Sequence, residues 1–246
     1  MDLDFLFELH ADLPRAGPGN NESTRKAFNM LRDLPPHPQI LDIGCGPGMQ
    51  TIELAKISDG KIIALDIHQP FLDKLRKDAR DQGVAEKIET ITQSMLEMDF
   101  EEKSFDVIWS EGAIFIIGFE KGLEEWRFFL KDGGYLVVSE LCWFRDDPPE
   151  AIRKFLIEAY PAIKTLRESK KIIEGLGYEL IDHFKLPESA WFKYYNPLEK
   201  QVAFFREKYE GDVEKNKFLD LTQLEIDMYK EYSKYYGYIF FMMQKT

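Results

Sequence analysis

The residues best suited to chemistry lie in one glycine-rich segment, residues 40–48 (ILDIGCGPG), and in the aspartate that follows it, Asp66. Apolar residues before the glycines predict a strand and those after them a helix, so the glycines form the turn between the two. Glycine lacks the side chain that would keep a ligand from the backbone, and the next helix begins with free N–H groups. The turn is typical of a nucleoside site, and Asp66 is placed to accept hydrogen bonds from ribose hydroxyls.

The charge beside this turn indicates which nucleoside it favours. A dinucleotide site places an anionic pyrophosphate here and has glycine at the first, third and sixth positions of its fingerprint. In this chain the sixth position is Met49, and Asp42 stands just before the turn. A carboxylate at that point repels a pyrophosphate and attracts an ammonium or sulfonium group. We therefore expect a cationic ligand, and a nicotinamide-dependent oxidoreductase is the weaker alternative.

Four motifs follow one another in the chain: ILDIGCGPG (40–48), ALDIHQPFL (64–72), FDVIWSEGAI (105–114) and LKDGGYLVVSE (130–140). With these motifs, about residues 37–142 resemble the class I S-adenosylmethionine-dependent methyltransferases, and most nearly the group that includes the ubiquinone and menaquinone C-methyltransferases. The resemblance implies a Rossmann-like methyltransferase fold, S-adenosylmethionine as cofactor, and in-line methyl transfer to a small molecule. A non-catalytic protein that binds or senses S-adenosylmethionine is the alternative from another class.

The resemblance also implies a role for particular residues. Asp42 and the glycine turn would hold the methionine end of the cofactor, with Ser110 beneath it, while Asp66 would bind the ribose. The residues expected to bind the cofactor are Asp42, Gly44, Cys45, Gly46, Gly48, Asp66, Ile67, Ser94, Met95 and Ser110. Ile67 would cover one face of adenine, and Ser94 with Met95 would line the other. Many relatives carry an aspartate in place of Ser94, so the adenine contact there departs from the family pattern.

Two glutamates, Glu111 and Glu140, are the candidates for a catalytic role. Methyl transfer from a sulfonium depends chiefly on aligning nucleophile, methyl group and sulfur, which can supply about 7 to 11 kcal/mol, so no universal base is required. Both glutamates lie at the ends of predicted strands and should face the cleft, where either could orient or deprotonate the acceptor. The alternative for Glu111 is that it binds backbone or solvent near the cofactor, and Glu140 has a similar alternative.

Parts of the chain outside the shared core should shape the acceptor site. They are the glycine-proline loop with Arg15, residues 114–117, Trp143 with Phe144, and the aromatic residues 191–195. They suggest a hydrophobic or aromatic small molecule, contacted by Arg15, Trp143 and Trp191. Because aromatic residues at helical spacing often serve packing, a structural role is the alternative for Trp191. The loop around Arg15 is either a mobile lid or an ordinary N-terminal loop.

Alternating strands and helices must position these residues. Strands are predicted at 39–42, 61–66, 88–92, 105–109, 135–140, 178–186 and 237–244, with helices at 49–57, from Pro70, and at 120–130 among them. Such alternation produces a mostly parallel sheet covered by helices on both faces. We expect an α/β fold, a doubly wound seven-stranded sheet with helical cap insertions.

The alternation of predicted strands and helices along the chain indicates four regions. They are an N-terminal loop and helix (1–36), a cofactor-binding core (37–142), a helical insertion (143–164), and a C-terminal part of the sheet (165–246) with an aromatic-rich helical insertion (187–236). We expect the insertions to cap the core.

The composition opposes several other classes of protein. The 246 residues include 32 Lys and Arg against 44 Asp and Glu, a net charge of −12 that opposes binding to nucleic acid or an anionic bilayer. Two cysteines and four scattered histidines indicate neither a disulfide framework nor a metal site. No apolar run reaches the ~18 residues needed to span a bilayer, and the start (MDLDF) lacks a secretory signal. We expect a cytoplasmic protein without membrane insertion.

Overall fold

The computed structural model describes residues 3–246. Met1 and Asp2, which belong to the predicted region 1–36 and to the start inspected for a secretory signal, lie outside the described residues. The strands are β1 (Gln39–Ile43), β2 (Lys61–Asp66), β3 (Ile88–Thr92), β4 (Phe105–Glu111), β5 (Leu130–Trp143), β6 (Lys164–Thr165), β7 (Tyr178–Lys185) and β8 (Tyr236–Lys245). The helices are α1 (Leu3–His10), α2 (Asn21–Phe28), α3 (Met49–Ile57), α4 (Gln69–Asp81), α5 (Phe119–Trp126), α6 (Glu150–Ala159), α7 (Leu166–Gly175), α8 (Glu188–Lys208) and α9 (Val213–Tyr232).

The strands form one sheet in the order β3-β2-β1-β4-β5-β8-β7, with the short β6 paired to β5. The first five strands of that path are parallel to their neighbours, and β8 is antiparallel to both β5 and β7. The predicted doubly wound, mostly parallel sheet of seven strands is confirmed, and β6 is an addition of only two residues.

Helices cover both faces of the sheet because its central strands are apolar on both sides. In β1, Ile40 packs with Val107 in one cluster, while Leu41 packs with Ile108 in the other, and these side chains are fully buried. Helices α3 and α4 contribute to the first cluster, and α5 and α7 to the second. Because β1, β2 and β4 are parallel, their carboxyl ends meet at one edge, where ligands bind in open α/β sheets.

The segment between α5 and β5 differs from the prediction. A helix over 120–130 was expected, but α5 ends at Trp126, and β5 already begins at Leu130. Leu130 pairs with Phe105, and the register then shifts before Val107 pairs with Tyr135. Gly133, with φ of 71°, lies in this irregularity, so this glycine allows a kink within the strand.

The N-terminal region contains two helices where one was expected. The unpredicted α1 packs on the C-terminal insertion, with the Phe5 ring 5.9 Å from Phe205 and 5.4 Å from Phe218. Helix α2 is capped by Asn20, whose side chain accepts a hydrogen bond from the Ser23 N–H. Residues 11–20 connect the two helices and pass over the carboxyl edge of the sheet.

The insertions are helical, as the sequence predicts. Helix α6 lies between β5 and β6, and α8 and α9 lie between β7 and β8, where they carry much of the aromatic core. In the part of the chain that the structure describes, no helix combines the length and the apolar character needed to cross a membrane.

Candidate functional site

The glycine turn joins β1 to α3 at the carboxyl edge of the sheet. The N–H groups of Gly44 and Cys45 both donate to the carbonyl of Leu65, at 2.9 and 3.0 Å, so the turn is fixed to the end of β2. Helix α3 then begins at Met49. The turn and the end of β2 thus form a single rigid crevice wall.

The three glycines of the turn have different reasons to lack a side chain. All have positive φ, at 69°, 53° and 87° for Gly44, Gly46 and Gly48. A Cβ on Gly44 would lie 2.6 Å from the Cβ of Ala113, and one on Gly48 would lie 2.3 Å from Leu75. The expectation that all three clear a path for a ligand therefore needs correction, because packing against neighbouring segments already requires two of them.

Gly46 is the glycine of the turn that no core side chain crowds. A Cβ there would meet only Ala16, at 3.6 Å, in the loop that passes over the turn. Its N–H donates to the Asp66 carboxylate at 2.9 Å. Cys45 beside it is buried, with its thiol directed to the Gly46 carbonyl at 3.6 Å, and burial raises the pKa of that thiol. Gly46 is therefore buried by this loop rather than by the core.

Asp42 is a fully buried carboxyl group at the end of β1. The Thr51 hydroxyl donates to Oδ2 at 2.6 Å, whereas Oδ1 has no hydrogen-bond partner among residues 3–246. Burial raises the pKa of Asp42 to about 7, although the Thr51 hydrogen bond and the Arg15 charge act to lower it. A positively charged ligand group near Oδ1 would give this oxygen a hydrogen-bond partner and favour the ionised form of the Asp42 carboxyl group.

Asp66 stands at the end of β2 with its carboxylate held by the backbone. Oδ2 accepts from the Gly46 N–H and Oδ1 from the His68 N–H, each at 2.9 Å. A carboxylate oxygen has two lone-pair sites, so each keeps one for a further donor such as a ribose hydroxyl. The half-buried position leaves those sites open to the crevice.

The residues expected around adenine lie beside Asp66. Ile67 is 53% exposed and presents an apolar face, while Met95 is buried. The Ser94 hydroxyl accepts from the Leu96 N–H at 3.2 Å, and its contact with adenine stays a prediction. His68, two residues after Asp66, stacks on Phe7 of α1 with ring centroids 3.9 Å apart.

Glu111, at the end of β4, is engaged by three side chains. Its carboxylate accepts from Arg15 at 3.0 Å, from the Thr24 hydroxyl at 2.6 Å and from the Trp109 indole at 3.0 Å. The Arg15 and Glu111 side chains are only 9% and 3% exposed. The alternative interpretation expected Glu111 to bind backbone or solvent. Instead, Glu111 is held in a buried ion pair with Arg15. A role for Glu111 as a base stays a prediction.

Arg15, predicted to contact the acceptor, joins the N-terminal loop to the site. Besides Glu111, its guanidinium donates to Gln50 at 3.4 Å and to Asn21 at 3.2 Å. These contacts fix the loop so that Ala16 lies over Gly46. The loop covers the turn in this structure, while its movement as a lid stays a prediction.

Ser110 and Glu140 are both enclosed by protein. The Ser110 hydroxyl donates to the Ile43 carbonyl at 2.9 Å, so it ties β4 to β1 and its proton is already used. Glu140 is 4% exposed, and neither of its carboxyl oxygens nor the Tyr160 hydroxyl has a hydrogen-bond partner within residues 3–246. Burial raises the pKa of Glu140 to about 7. The predicted ligand contact of Ser110 and the catalytic role of Glu140 stay predictions.

The two tryptophans predicted to contact the acceptor have different surroundings. Trp143 is half-buried and lines a cavity of about 610 Å³ together with Arg145 and Lys170. Trp191 is buried and stacks on Tyr229 with ring centroids 4.2 Å apart, so one of its faces serves packing. Its ring lies 5.0 Å from Tyr238.

Sequence reasoning missed several residues that the fold brings to this region. Thr24 and Gln50 complete the contacts around Arg15 and Glu111, and Glu225 accepts from the Tyr195 hydroxyl at 2.9 Å. Each sits in an ordinary amphipathic helix, where a single polar residue gives no signal. Tyr238 had a weak signal, since strand alternation places it on the same face as other aromatic residues of β8.

Comparisons with known proteins agree with this geometry. Residues 40–134 match the family described as "Methyltransferase domain". The chain is 27% identical over 154 residues to a sarcosine/dimethylglycine N-methyltransferase of Aphanothece halophytica, covering 62% of this chain and 56% of that protein. It is 26% identical over 201 residues to a 24-methylenesterol C-methyltransferase of Oryza sativa subsp. japonica, covering 76% and 54%. The chain thus spans about half the length of these relatives.

A solved structure extends the similarity to nearly the whole chain. It is a SAM-dependent methyltransferase from Geobacter sulfurreducens in complex with S-adenosyl-L-homocysteine, with a TM-score of 0.84 at 19% identity, covering 99% of this chain and 98% of that one. The likeness confirms the predicted α/β methyltransferase fold. The narrower resemblance to ubiquinone and menaquinone C-methyltransferases is not shown, because the relatives found act in their names on sarcosine and sterols.

Proposed function

We propose that this chain, whose residues 40–134 match the methyltransferase domain family, transfers a methyl group from S-adenosylmethionine to a small molecule. The observation that carries the proposal is the pair of carboxylates beside the glycine turn. Asp42 is buried with one oxygen unpartnered, and Asp66 is oriented by two backbone N–H groups. Two anionic groups at this turn suit a cationic adenosyl amino acid better than a pyrophosphate.

The residues present fit the parts of that cofactor. Asp42 offers a buried oxygen toward a positively charged amino-acid end, and Asp66 offers acceptors for a ribose diol. Ile67 offers an exposed apolar face for a purine. The backbone of Gly46 and the surroundings of Ser94 and Met95 complete the proposed cofactor site, with the loop around Ala16 covering it.

When bound, S-adenosylmethionine supplies a methyl group activated by a sulfonium. The chain's own contribution is to hold the acceptor in line with it and to keep water out. The buried Arg15–Glu111 pair fixes the covering loop at the end of β4, next to the proposed methionine end. We assign Glu111 a positioning role through this loop, and Glu140 is kept as the second candidate for contact with the acceptor.

The acceptor is proposed to be a small molecule with hydrophobic or aromatic character. The names of the relatives give sarcosine, dimethylglycine and sterols as their substrates, and all of these are small molecules. The insertions α8 and α9 carry much of the aromatic core, including Trp191. Trp143 and Arg15 remain the other proposed substrate residues.

Thermal unfolding with the cofactor and with its demethylated product tests this function. A ligand present at about 100 times its dissociation constant stabilises by about 2.7 kcal/mol, which corresponds to about 5 to 10 °C in Tm for a chain of this size. NADH serves as the matched control because it shares the adenosine but carries a pyrophosphate. A shift with NADH alone, or no shift at all, would refute the proposal.

The Asp66→Ala variant tests the ribose contact within that site. Loss of charge-assisted hydrogen bonds worth about 1.5 to 3 kcal/mol should weaken cofactor binding about tenfold or more. Asp73→Ala is the control, since Asp73 is an exposed aspartate in the neighbouring α4. Equal affinity of the two variants would remove Asp66 from the site.

A binding protein without transferase activity is the second candidate. It is favoured by the engagement of Glu111 with three side chains, which leaves its carboxylate a single lone-pair site, on Oε2 beside Arg15, for an acceptor proton. The two functions are separated by measuring S-adenosylhomocysteine formation with amines, phenols, quinols and thiols. Turnover with any of these acceptors excludes pure binding.

A further inference from the structure

Helix α7 carries three cationic side chains on one face. Arg167, Lys170 and Lys171 are separated by three and four residues, so their side chains leave the helix in similar directions. Within residues 3–246, none of the three forms an ion pair or a hydrogen bond through its side chain. Like charges at this spacing repel one another, and an anion bound beside them would remove that repulsion.

These three cations line a surface cavity of about 610 Å³, here called the α7 cavity. The segment that ends β5 supplies another part of its lining, including the rings of Trp143 and Phe144. Lys170 and both rings are half-buried, so they are partly sheltered from solvent and partly open to the cavity. The volume falls within the range of about 300 to 1,000 Å³ that is usual for small-molecule sites.

Both parts of the lining are fixed by the backbone. The Glu168 N–H donates to the Thr165 hydroxyl at 3.3 Å, and the Thr165 N–H donates to the Glu168 carboxylate at 2.7 Å, so the start of α7 is capped. Thr165 also pairs with Trp143 between β6 and β5. The Phe144 N–H donates to the Tyr235 carbonyl at 2.7 Å. The α7 cavity is therefore formed before any ligand binds.

The charge of the α7 cavity is opposite to that of the whole chain. The chain has a net charge of −12, whereas Arg145 and the three cations of α7 line the cavity against only two acidic residues, Asp146 and Glu174. Arg145 donates to both carboxylate oxygens of Asp147 at 2.9 Å, so its charge is already compensated. The cations of α7 have no such partner, and the cavity favours an anionic ligand.

A phosphate group suits these cations better than a carboxylate. A phosphate monoester carries about −1.5 to −2 charge at pH 7 and three terminal oxygens that accept hydrogen bonds. A carboxylate has a single charge and two oxygens, fewer than the three unpaired cations. The start of α7 adds the positive end of a helix dipole. Trp143 and Phe144 offer apolar surface to an organic group attached to the phosphate.

We propose that the α7 cavity binds the phosphate monoester of a small organic molecule. The phosphate lies at Arg167, Lys170 and Lys171, and the organic group lies against Trp143 and Phe144. The proposal concerns binding and includes no covalent step, so it does not depend on the proposed methyltransferase function.

Phenyl phosphate is the probe for this site, and phenyl sulfate is its control. The two have nearly the same shape, but at about pH 8 the phosphate is mostly a dianion, since its second pKa is about 6, while the sulfate has one charge. Inorganic phosphate is the second control because it lacks the organic group. Titration calorimetry on the full chain should show phenyl phosphate binding at least about tenfold more tightly than either control.

Two variants then locate the binding. Lys170→Gln and Arg167→Gln each remove one cation, so each should weaken phenyl phosphate binding about tenfold. Arg167 is exposed, so its variant tests the site even where the change at half-buried Lys170 disturbs the helix. Lys217→Gln, at an exposed lysine of α9, is the matched control because it changes the net charge equally. It should leave the affinity unchanged.

Several results would overturn the α7 cavity as a phosphate ester site. They are undetectable binding of phenyl phosphate, equal affinity for phenyl sulfate, and equal affinity for inorganic phosphate. An affinity in Arg167→Gln as high as in Lys217→Gln would also overturn it, because the bound phosphate would then lie elsewhere on the chain.

Discussion

The buried pair of Arg15 and Glu111 offers a sharp test of how the N-terminal loop is held. The two side chains are 9% and 3% exposed, and Glu111 also accepts from Thr24 and Trp109. Arg15→Met removes the positive charge while filling much of the space. The change leaves a buried carboxylate without its counter-charge, and the loop without its contacts to Gln50 and Asn21.

Breaking a buried pair from one side typically costs about 3 to 5 kcal/mol, which for a chain of this size lowers Tm by about 6 to 20 °C. The double variant Arg15→Met/Glu111→Gln removes the stranded charge and should recover most of that loss. Because the same contacts hold Ala16 over Gly46, Arg15→Met should also weaken cofactor binding.

Calorimetric unfolding of the single and double variants measures the stability change, and titration with S-adenosylhomocysteine measures the binding change. Arg153→Met is the control, because its pair with Glu150 is exposed and is worth at most about 1 kcal/mol. A loss in Arg15→Met no larger than in this control, or a double variant whose losses simply add, would refute a buried, coupled pair.

Two further predictions concern buried carboxyl groups. Burial raises the pKa of Asp42 to about 7, and a cationic ligand binds the ionised form, so cofactor affinity should fall about tenfold per pH unit below that value. Asp42→Asn should abolish this slope in titrations across pH, and a slope that persists would contradict the assignment. Burial raises the pKa of Glu140 from 4.5 to about 7, so the folded state holds the extra proton and stability falls as pH rises through that window. When the free energy of unfolding is measured in urea, Glu140→Gln should remove about 3 kcal/mol of its fall with pH. An unchanged pH dependence would argue against a buried, unpaired carboxyl group.

The mostly parallel sheet and the glycine turn were predictable because their signals are local. The apolar run before the glycines, the acidic residue ending β2 and the turn between them lie close together in sequence. The amphipathic face of α4 was equally visible, and Phe71, Leu72 and Leu75 are buried as it indicates. The end of α5 was not visible in the sequence, because the pairing of Leu130 with a distant strand overrides the local helical pattern.

The roles of individual site residues depended on contacts across the fold. Gly48 looks in the sequence like a ligand-facing glycine, yet Leu75 of another helix occupies the space that its side chain would need. His68 follows the proposed ribose-binding residue Asp66 by two positions, yet a helix from the start of the chain stacks Phe7 upon it. Glu111 was visible as a strand-end carboxylate, but its ion pair with Arg15 joins residues 96 positions apart.

The sequence by itself determined the turn, the acidic residues beside it and the alternation that builds a parallel sheet, since each follows from backbone preference and hydrophobic periodicity over a few residues. Only the tertiary structure decided which carboxyl groups are paired and which are stranded. Burial and counter-charge are properties of what surrounds a side chain, and in Asp42, Glu111 and Glu225 those surroundings come from segments far apart in the chain.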